Sequence, residues 1–208
     1  MRIERHLKAL ERSVFKMTQM TEKMFNDLAI AIEREDLDLA RKIIEQDEIV
    51  NQCEQTIHQQ ALMILSLMQP VAKDLRYVIS SIKIANDLER IADYAKNIAS
   101  YIQGDFLTIL NQTDFLEMLE VMMLSYQGMQ KLLAKPDARK AHRLALQDQN
   151  IDKAFNLFFY SLEGITADLD SVLELATLGR QIERAGDHIK NICEEVIYMK
   201  TGELHDFG

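Results

Sequence analysis

Leu88–Ile98 reads LERIADYAKNI and Ile182–Ile192 reads IERAGDHIKNI. Aligned on Glu89 and Glu183, they share the frame hydrophobic-Glu-Arg-x-x-Asp-x-x-Lys-Asn-Ile. Each copy sets a Glu and an Asp four residues apart. At 3.6 residues per turn, that spacing stacks two carboxylates on one helix face, one turn apart. Adjacent like charges weaken an isolated helix, so a chain that does this twice in one frame has a reason for it. On a helical wheel Glu89 and Asp93 fall with Val78, Ile82 and Ala85, at the edge of an apolar stripe through Leu88, Ala92 and Ala95. Lys83, Arg90, Tyr94 and Asn97 take the opposite, polar side. Glu183 and Asp187 likewise join Val172, Ala176 and Gly179, beside Leu175, Ile182 and Gly186. Small residues next to the acids let another helix approach closely. Glycine is costly inside a helix, so Gly179 and Gly186 point to a packing or site requirement. The carboxylates face a seam.

Outward from these motifs the chain reads as helices throughout. Ile3–Arg34 keeps the three-four spacing of one long amphipathic helix. Glu35-Asp36 breaks it, with Asp36 the N-cap of a second helix that runs to about Met68. Pro70 ends that helix, and Gln69–Arg76 (QPVAKDLR) leads into a third, closed by Gly104, that carries the first motif. A loose connection then leads to a second cycle. Phe115–Leu133 is Met-rich, with Met118, Met122, Met123 and Met129 expected in the core. After the Lys135-Pro136-Asp137 turn come a helix over Ala138–Leu162 and a last one over Ala167–Met199 that carries the second motif. Thr201-Gly202 is a helix stop, and the tail is expected to be loosely held.

The halves align beyond the motifs. Arg41–Asn51 (RKIIEQDEIVN) matches His142–Asp152 (HRLALQDQNID), pairing Asp47 with Asp148 and Asn51 with Asp152. Asp74-Leu75 falls on Asp168-Leu169, and the seven-residue difference in offset places an abbreviated corner in the second half. This is an internal duplication. It predicts an all-α fold of two tandem, pseudo-symmetric three-helix bundles, six long helices in all. The expected division is 1–104, 112–202 and a C-terminal tail, 203–208.

Composition narrows the function. A chain with 7 glycines, 2 prolines and no tryptophan in 208 residues has few interruptions, as long helices require. A net charge of −9 without a basic patch argues against a nucleic-acid role. The longest apolar run, about Ala61–Met68, is far too short to span a membrane. The first residues show no signal-peptide pattern, so a cytoplasmic protein is expected. Cys53 and Cys193 stand alone in helical patterns and read as core thiols.

Two readings of the acids stand side by side. If each second helix packs antiparallel to its third, Asp47 faces Glu89 and Asp93, while Asp148 and Asp152 face Glu183 and Asp187. Clustered carboxylates in a seam need cations or protons, and an oxygen ligand set suits Mg²⁺, Ca²⁺ or Mn²⁺ and also iron. Alternatively, Lys96 and Lys190, three residues after each Asp, neutralise them without metal. His188 points to the other side of its helix, and His58 and His142 show no partner pattern. There is no Glu-x-x-His pair, Gly-rich phosphate loop or nucleophile arrangement. The residues therefore describe a duplicated helical protein, not an enzyme.

The chain resembles the PhoU family of regulators of bacterial phosphate uptake. The resemblance is carried by the two Glu-Arg-x-x-Asp copies, QPVAKDLR at Gln69–Arg76, the NIDKAF sequence after Asp148 and the ending IYMKTGELHDF at Ile197–Phe207. It implies two three-helix bundles, no catalytic activity and an adapter role between the phosphate ABC transporter, through its ATPase subunit, and the phosphate-sensing histidine kinase. It also implies a homodimer that meets the membrane only through these partners. Some members of the family carry iron or zinc clusters on the acidic motif and others are found without metal. Carried over by position, the implied ligands are Glu89, Asp93, Glu183 and Asp187, with Asp47, Asp148 and Asp152 supporting. Asn51 departs from that acidic pattern. The rival reading is a metal-storage or redox helical-bundle metalloprotein.

Overall fold

The computed structural model describes residues 2–207, and helices account for nearly all of them, with no strand among the described residues. The helices are α1 (Arg2–Arg34), α2 (Leu37–Met68), α3 (Ala72–Ser100), α4 (Gly104–Leu110), α5 (Phe115–Ala134), α6 (Ala138–Ala145), α7 (Gln149–Ser161) and α8 (Leu169–Thr201). The boundaries follow from local chemistry. Asp36, Asp137 and Asp168 each accept a backbone N–H three residues on, at 2.9 Å, capping α2, α6 and α8. The α8 stop is Gly202 at φ 82°, whose N–H donates to the Tyr198 carbonyl at 2.8 Å.

α1, α2 and α3 form one up-down-up unit; α5, the α6–α7 arm and α8 form its counterpart. The units join through α3 against α8 and α1 against α5. Across the first seam Ser80 meets Glu195 and Asp87 meets His188, so α3 and α8 run antiparallel. Across the second, the Tyr126 hydroxyl donates to the Thr18 carbonyl at 2.9 Å. The apolar stripes merge into one continuous core that includes Phe25, Ile57, Ile91, Phe115, Phe158 and Leu178. Met118, Met122, Met123 and Met129 all lie in it, as their spacing implies.

Four local expectations are corrected. The fifth helix is not continuous over Ala138–Leu162: it tightens to a 3-10 turn at Leu146–Asp148 between α6 and α7, where Asp148 reaches across to Lys190 on α8. The missing residues of the second half come out of this helical arm, which spans 138–161 against 37–68 for α2. The corner that follows, 162–168, is longer than 69–71, not shorter. The connection after α3 is not loose; it forms α4, which buries Leu107 and Leu110. The tail is tied down by Phe207, whose N–H donates to Glu194 Oε1 at 2.9 Å and whose ring meets His142 edge-on at 5.1 Å. Phe207 thereby closes a small apolar cluster of Leu132, Ala141, Ala145, Cys193, Val196 and Ile197. Burial there pushes the Cys193 thiol up to about 12, which keeps it unreactive near neutral pH.

Candidate functional site

Antiparallel packing of α2 on α3 brings Asp47 opposite Asp93, and Lys96 closes the gap. Its Nζ donates to Asp47 Oδ2 at 2.9 Å and to Asp93 Oδ1. The Asn51 amide donates to Asp47 Oδ2 at 3.2 Å, and the Asn97 amide to Asp93 Oδ2 at 3.1 Å. The Asp47 side chain is only 8% exposed, and its Oδ1 is buried without a partner, as is Asn51 Oδ1. Glu89 sits a turn away with its pKa raised, first by burial and then by Glu54, with smaller contributions from Asp93 and Asp47.

Glu54 is a member of this set that the motif did not reveal. His58 lies 3.8 Å from it, and the Asn86 amide lies 2.8 Å from His58 Nε2 and 3.0 Å from Glu54 Oε1. Asp47, Asn51, Glu54 and His58 recur at steps of four, three and four, so extending the α2 stripe past Asn51 would have found them. Asn86 has no such signal in sequence.

The second set repeats the first with its own details. Lys190 Nζ lies 3.1 Å from Asp148 Oδ2 and 3.2 Å from Asp187 Oδ1, with only 13% of its side chain exposed. Burial alone would lower the pKa of each lysine, but the aspartates outweigh it and both are raised: by Asp93 and Asp47 at Lys96, and by Asp148 and Asp187 at Lys190. Asp152 is raised by burial first and then by Asp148 and Glu183. Arg180 forks onto both oxygens of Glu183 at 2.8 and 2.9 Å while its guanidinium covers the Phe155 ring at 4.9 Å. Lys96 thus joins Asp47 to Asp93 and Lys190 joins Asp148 to Asp187, while Glu89 in one half and Asp152 and Glu183 in the other lie near enough to act on their neighbours through charge alone.

Each seam already contains a cation, the lysine ammonium. Among the described residues no three Asp, Glu, His or Cys side chains converge as a metal cage. The first seam nevertheless has two buried oxygens without donors, Asp47 Oδ1 and Asn51 Oδ1. Orphaned oxygens beside carboxylates are a donor set that a hard cation can satisfy. A mutational consequence follows for Glu89, whose raised pKa means that its ionisation opposes folding. Such a group contributes most stability below its unfolded pKa and loses it as pH rises through the folded value. Glu89→Gln is expected to raise the melting temperature by a few degrees at pH 7 and to show no gain at pH 4. A lower melting temperature at pH 7 would show instead that the charge is stabilised.

The α3–α8 seam has polar chemistry of its own. His188 faces away from the acidic set, as expected, but it has a partner: Nδ1 is 2.8 Å from Asp87 Oδ1, and its ring stacks obliquely on Tyr94. Nearby, Lys83 Nζ and the Ser80 hydroxyl both donate to Glu195, at 2.6 and 2.9 Å. Tyr94 feels Arg184, Arg90, Asp93 and Asp187, so the two motifs flank one stretch of this seam.

The helices also leave two apolar corners uncovered. At the α2–α3 corner Leu62, Leu67 and Val71 are each about two-thirds exposed or more. Gln69 at φ 47° and Ala72 at φ 45° hold that corner in the left-handed region, which costs non-glycine residues energy. At the equivalent α7–α8 corner Leu157, Tyr160, Leu169 and Leu173 are exposed. Because α3 and α8 run antiparallel, the two corners lie at opposite ends of the molecule.

Comparison with known proteins identifies the pattern. The PhoU domain matches twice, at residues 14–102 and 115–196. A phosphate-specific transport system accessory protein PhoU homolog of Thermotoga maritima is 30% identical over 207 residues, covering 96% of this chain and 89% of that one. The accessory protein PhoU of Edwardsiella tarda is 31% identical over 206 residues, covering 95% of this chain and 84% of that one. The crystal structure of the phosphate transport system regulatory protein PhoU from Streptococcus pneumoniae superposes with a TM-score of 0.89 at 26% identity, over 99% of this chain and 100% of that one. PhoU from Pseudomonas aeruginosa superposes at 0.85 with 28% identity, over 96% and 99%.

Proposed function

The chain belongs to the PhoU family, and from that premise we propose that it is a non-enzymatic regulator of phosphate uptake that works by binding. The relatives named for the phosphate-specific transport system support this reading. So does the site, which offers carboxylates locked by lysines and no nucleophile. Among the described residues no helix is long and apolar enough to cross a membrane. In this proposal the chain meets the transporter on its cytoplasmic side.

The observation that supports an adapter most directly is the pair of apolar corners. Exposed leucines on a strained, well-defined turn are what a partner surface requires. One corner engages the transporter ATPase subunit; the other is free for the sensor kinase or for the second copy of a homodimer. The acidic seams tune the relative positions of the helices. A cation in them would be held by Asp47, Glu89 and Asp93 or by Asp148, Asp152, Glu183 and Asp187, in place of the lysine. Iron or zinc is the candidate from family resemblance, and Mg²⁺, Mn²⁺ or Ca²⁺ from the oxygen donors. Such an ion would supply fixed positive charge that pins α2 to α3 and α7 to α8.

Leu67→Asp with Val71→Asp tests the adapter. Both side chains are exposed, so folding is expected to be unchanged, while capture of the transporter ATPase from membranes falls at least about tenfold. Unchanged capture of the ATPase would remove this corner from the interface. Failure of the unmutated protein to enrich either the ATPase or the kinase would overturn the adapter reading itself.

A further inference from the structure

The sequence lacks a concentrated basic patch, yet folding arranges one small cationic row. Arg5, Lys8, Arg12 and Lys16 are all exposed and lie on one face of α1, at steps of three, four and four. Two of them, Arg12 and Lys16, border a cavity of about 330 Å³. It opens where α1 meets α3, the α5–α6 turn and α8, so both halves of the duplication build it. The volume falls within the roughly 300–1,000 Å³ typical of ligand pockets.

The lining is divided by chemistry. Phe15, Ile84, Leu133, Pro136 and Met199 supply an apolar wall, with the mostly buried Tyr77 ring among them. Arg12 and Lys16 stand at the rim with one acid, Glu11. Neither cation forms an ion pair among the described residues, although Lys16 acts through charge on the Cys53 thiol and the chain carries a net charge of −9. Burial and then Glu11 raise the Tyr77 phenol, against a smaller opposing effect of its hydrogen bond with Ser81.

We propose that this cavity binds a small amphiphilic anion: an aliphatic chain ending in a carboxylate or a phosphate monoester. Its tail lies along the Ile84, Leu133 and Met199 wall, and its head rests between Arg12 and Lys16. Inorganic phosphate does not suit the site, because the wall would be left uncovered. A neutral alkane chain does not suit it either, because two unpartnered cations would be left at the rim. Occupancy also has a route to the rest of the molecule. Ile84 follows Lys83 in sequence, and Met199 lies one turn beyond Glu195, so a ligand here presses on the two helices that the Lys83–Glu195 contact joins. This site is separate from the acidic seams and from the apolar corners, and it does not depend on the adapter role.

Titration calorimetry on the full chain tests it, with decanoate, decyl phosphate, decanol and inorganic phosphate as probes, each below its micelle concentration. The expected result is saturable binding of one molecule of an anionic amphiphile, with decanol at least tenfold weaker and inorganic phosphate silent. The tighter of decanoate and decyl phosphate identifies the head group. Ala134→Trp, at the cavity mouth, is expected to abolish binding, with circular dichroism reporting retention of fold. The surface pair Arg12→Glu, Lys16→Glu, which removes no core group, is expected to weaken binding at least tenfold. No saturable heat with either anion, equal affinity for decanol, or unchanged binding in the charge-reversed pair would each overturn the proposal.

Discussion

Gly179→Ala lowers the thermal midpoint by about 5–10 °C, the equivalent of about 2–3 kcal/mol for a chain of this size. A Cβ added at Gly179 would stand 2.3 Å from Phe158 Cε1 and 2.6 Å from Phe158 Cδ1, well inside van der Waals contact. The ring cannot simply step aside. Phe158 is fully buried, and its other contacts include an edge-on pairing with Phe115 at 5.7 Å. Close-packed interiors transmit such a clash as displacement of a helix, here α7 away from α8. Gly186→Ala should cost less, because the atom it meets at 2.7 Å is the flexible Cδ1 end of Ile151. Gly164→Ala is the control: nothing lies within 4 Å of its Cβ position, so its midpoint should stay within a degree or two or rise slightly. Parallel melting curves of the three variants decide the matter. If Gly179→Ala melts with the Gly164 control, the close approach of α7 is not a constraint of the fold.

Lys190→Met costs about 2–4 kcal/mol at pH 7, despite preserving most of the side-chain volume. The lysine is mostly buried, and its ammonium lies between Asp148 and Asp187 with Asp152 nearby. Removing it leaves carboxylates in a poorly solvated seam with no compensating charge. The pH dependence carries the mechanism. In the unmodified chain the pKa of Lys190 is raised, so its contribution is complete below the unfolded lysine value near 10.4 and is lost only as pH climbs through the higher folded value. Stability attributable to it is therefore level from about pH 6 to 9. Lys190 opposes the upward shift of Asp152, so in the variant that acid is raised further and the deficit shrinks as pH falls toward 4 and it takes up a proton. A deficit that stays constant from pH 8 to 4 would show that lost packing, not charge, is responsible. Added Mn²⁺ or Mg²⁺ separates the two readings of the seam: an ion that binds the folded variant raises its stability by about 2.7 kcal/mol at a hundredfold excess over Kd. No rise at millimolar ion assigns these acids to ionic locking by lysine.

The two glycines show how far a helical pattern can be read. Gly179 and Gly186 signalled a close helix approach because glycine is otherwise unfavourable there, and α7 is the helix that approaches. Their partners, Phe158 and Ile151, could not be named in advance, since a wheel orients one helix and says nothing of which residue meets it. Lys96 and Lys190 were legible for the same local reason: three residues past an aspartate is the next turn of the same face. Glu54 obeys the same rule on α2, but it lies outside the repeated motif, which sits on α3 and α8.

By itself, then, the sequence determined the all-α character, the duplication, the acidic faces and the lysines that close them. All are properties of residues within a few turns of one another, governed by the 3.6-residue period and by capping. Tertiary structure alone decided the Asp87–His188 and Lys83–Glu195 contacts, the tightened turn at Leu146–Asp148, the docking of Phe207 and the cavity beside Arg12. Each of these depends on how one helix sits against another. The contacts of Ser80 and Lys83 with Glu195 join residues more than 100 positions apart, and the register between such helices is set by the fit of one merged core, which no local periodicity specifies.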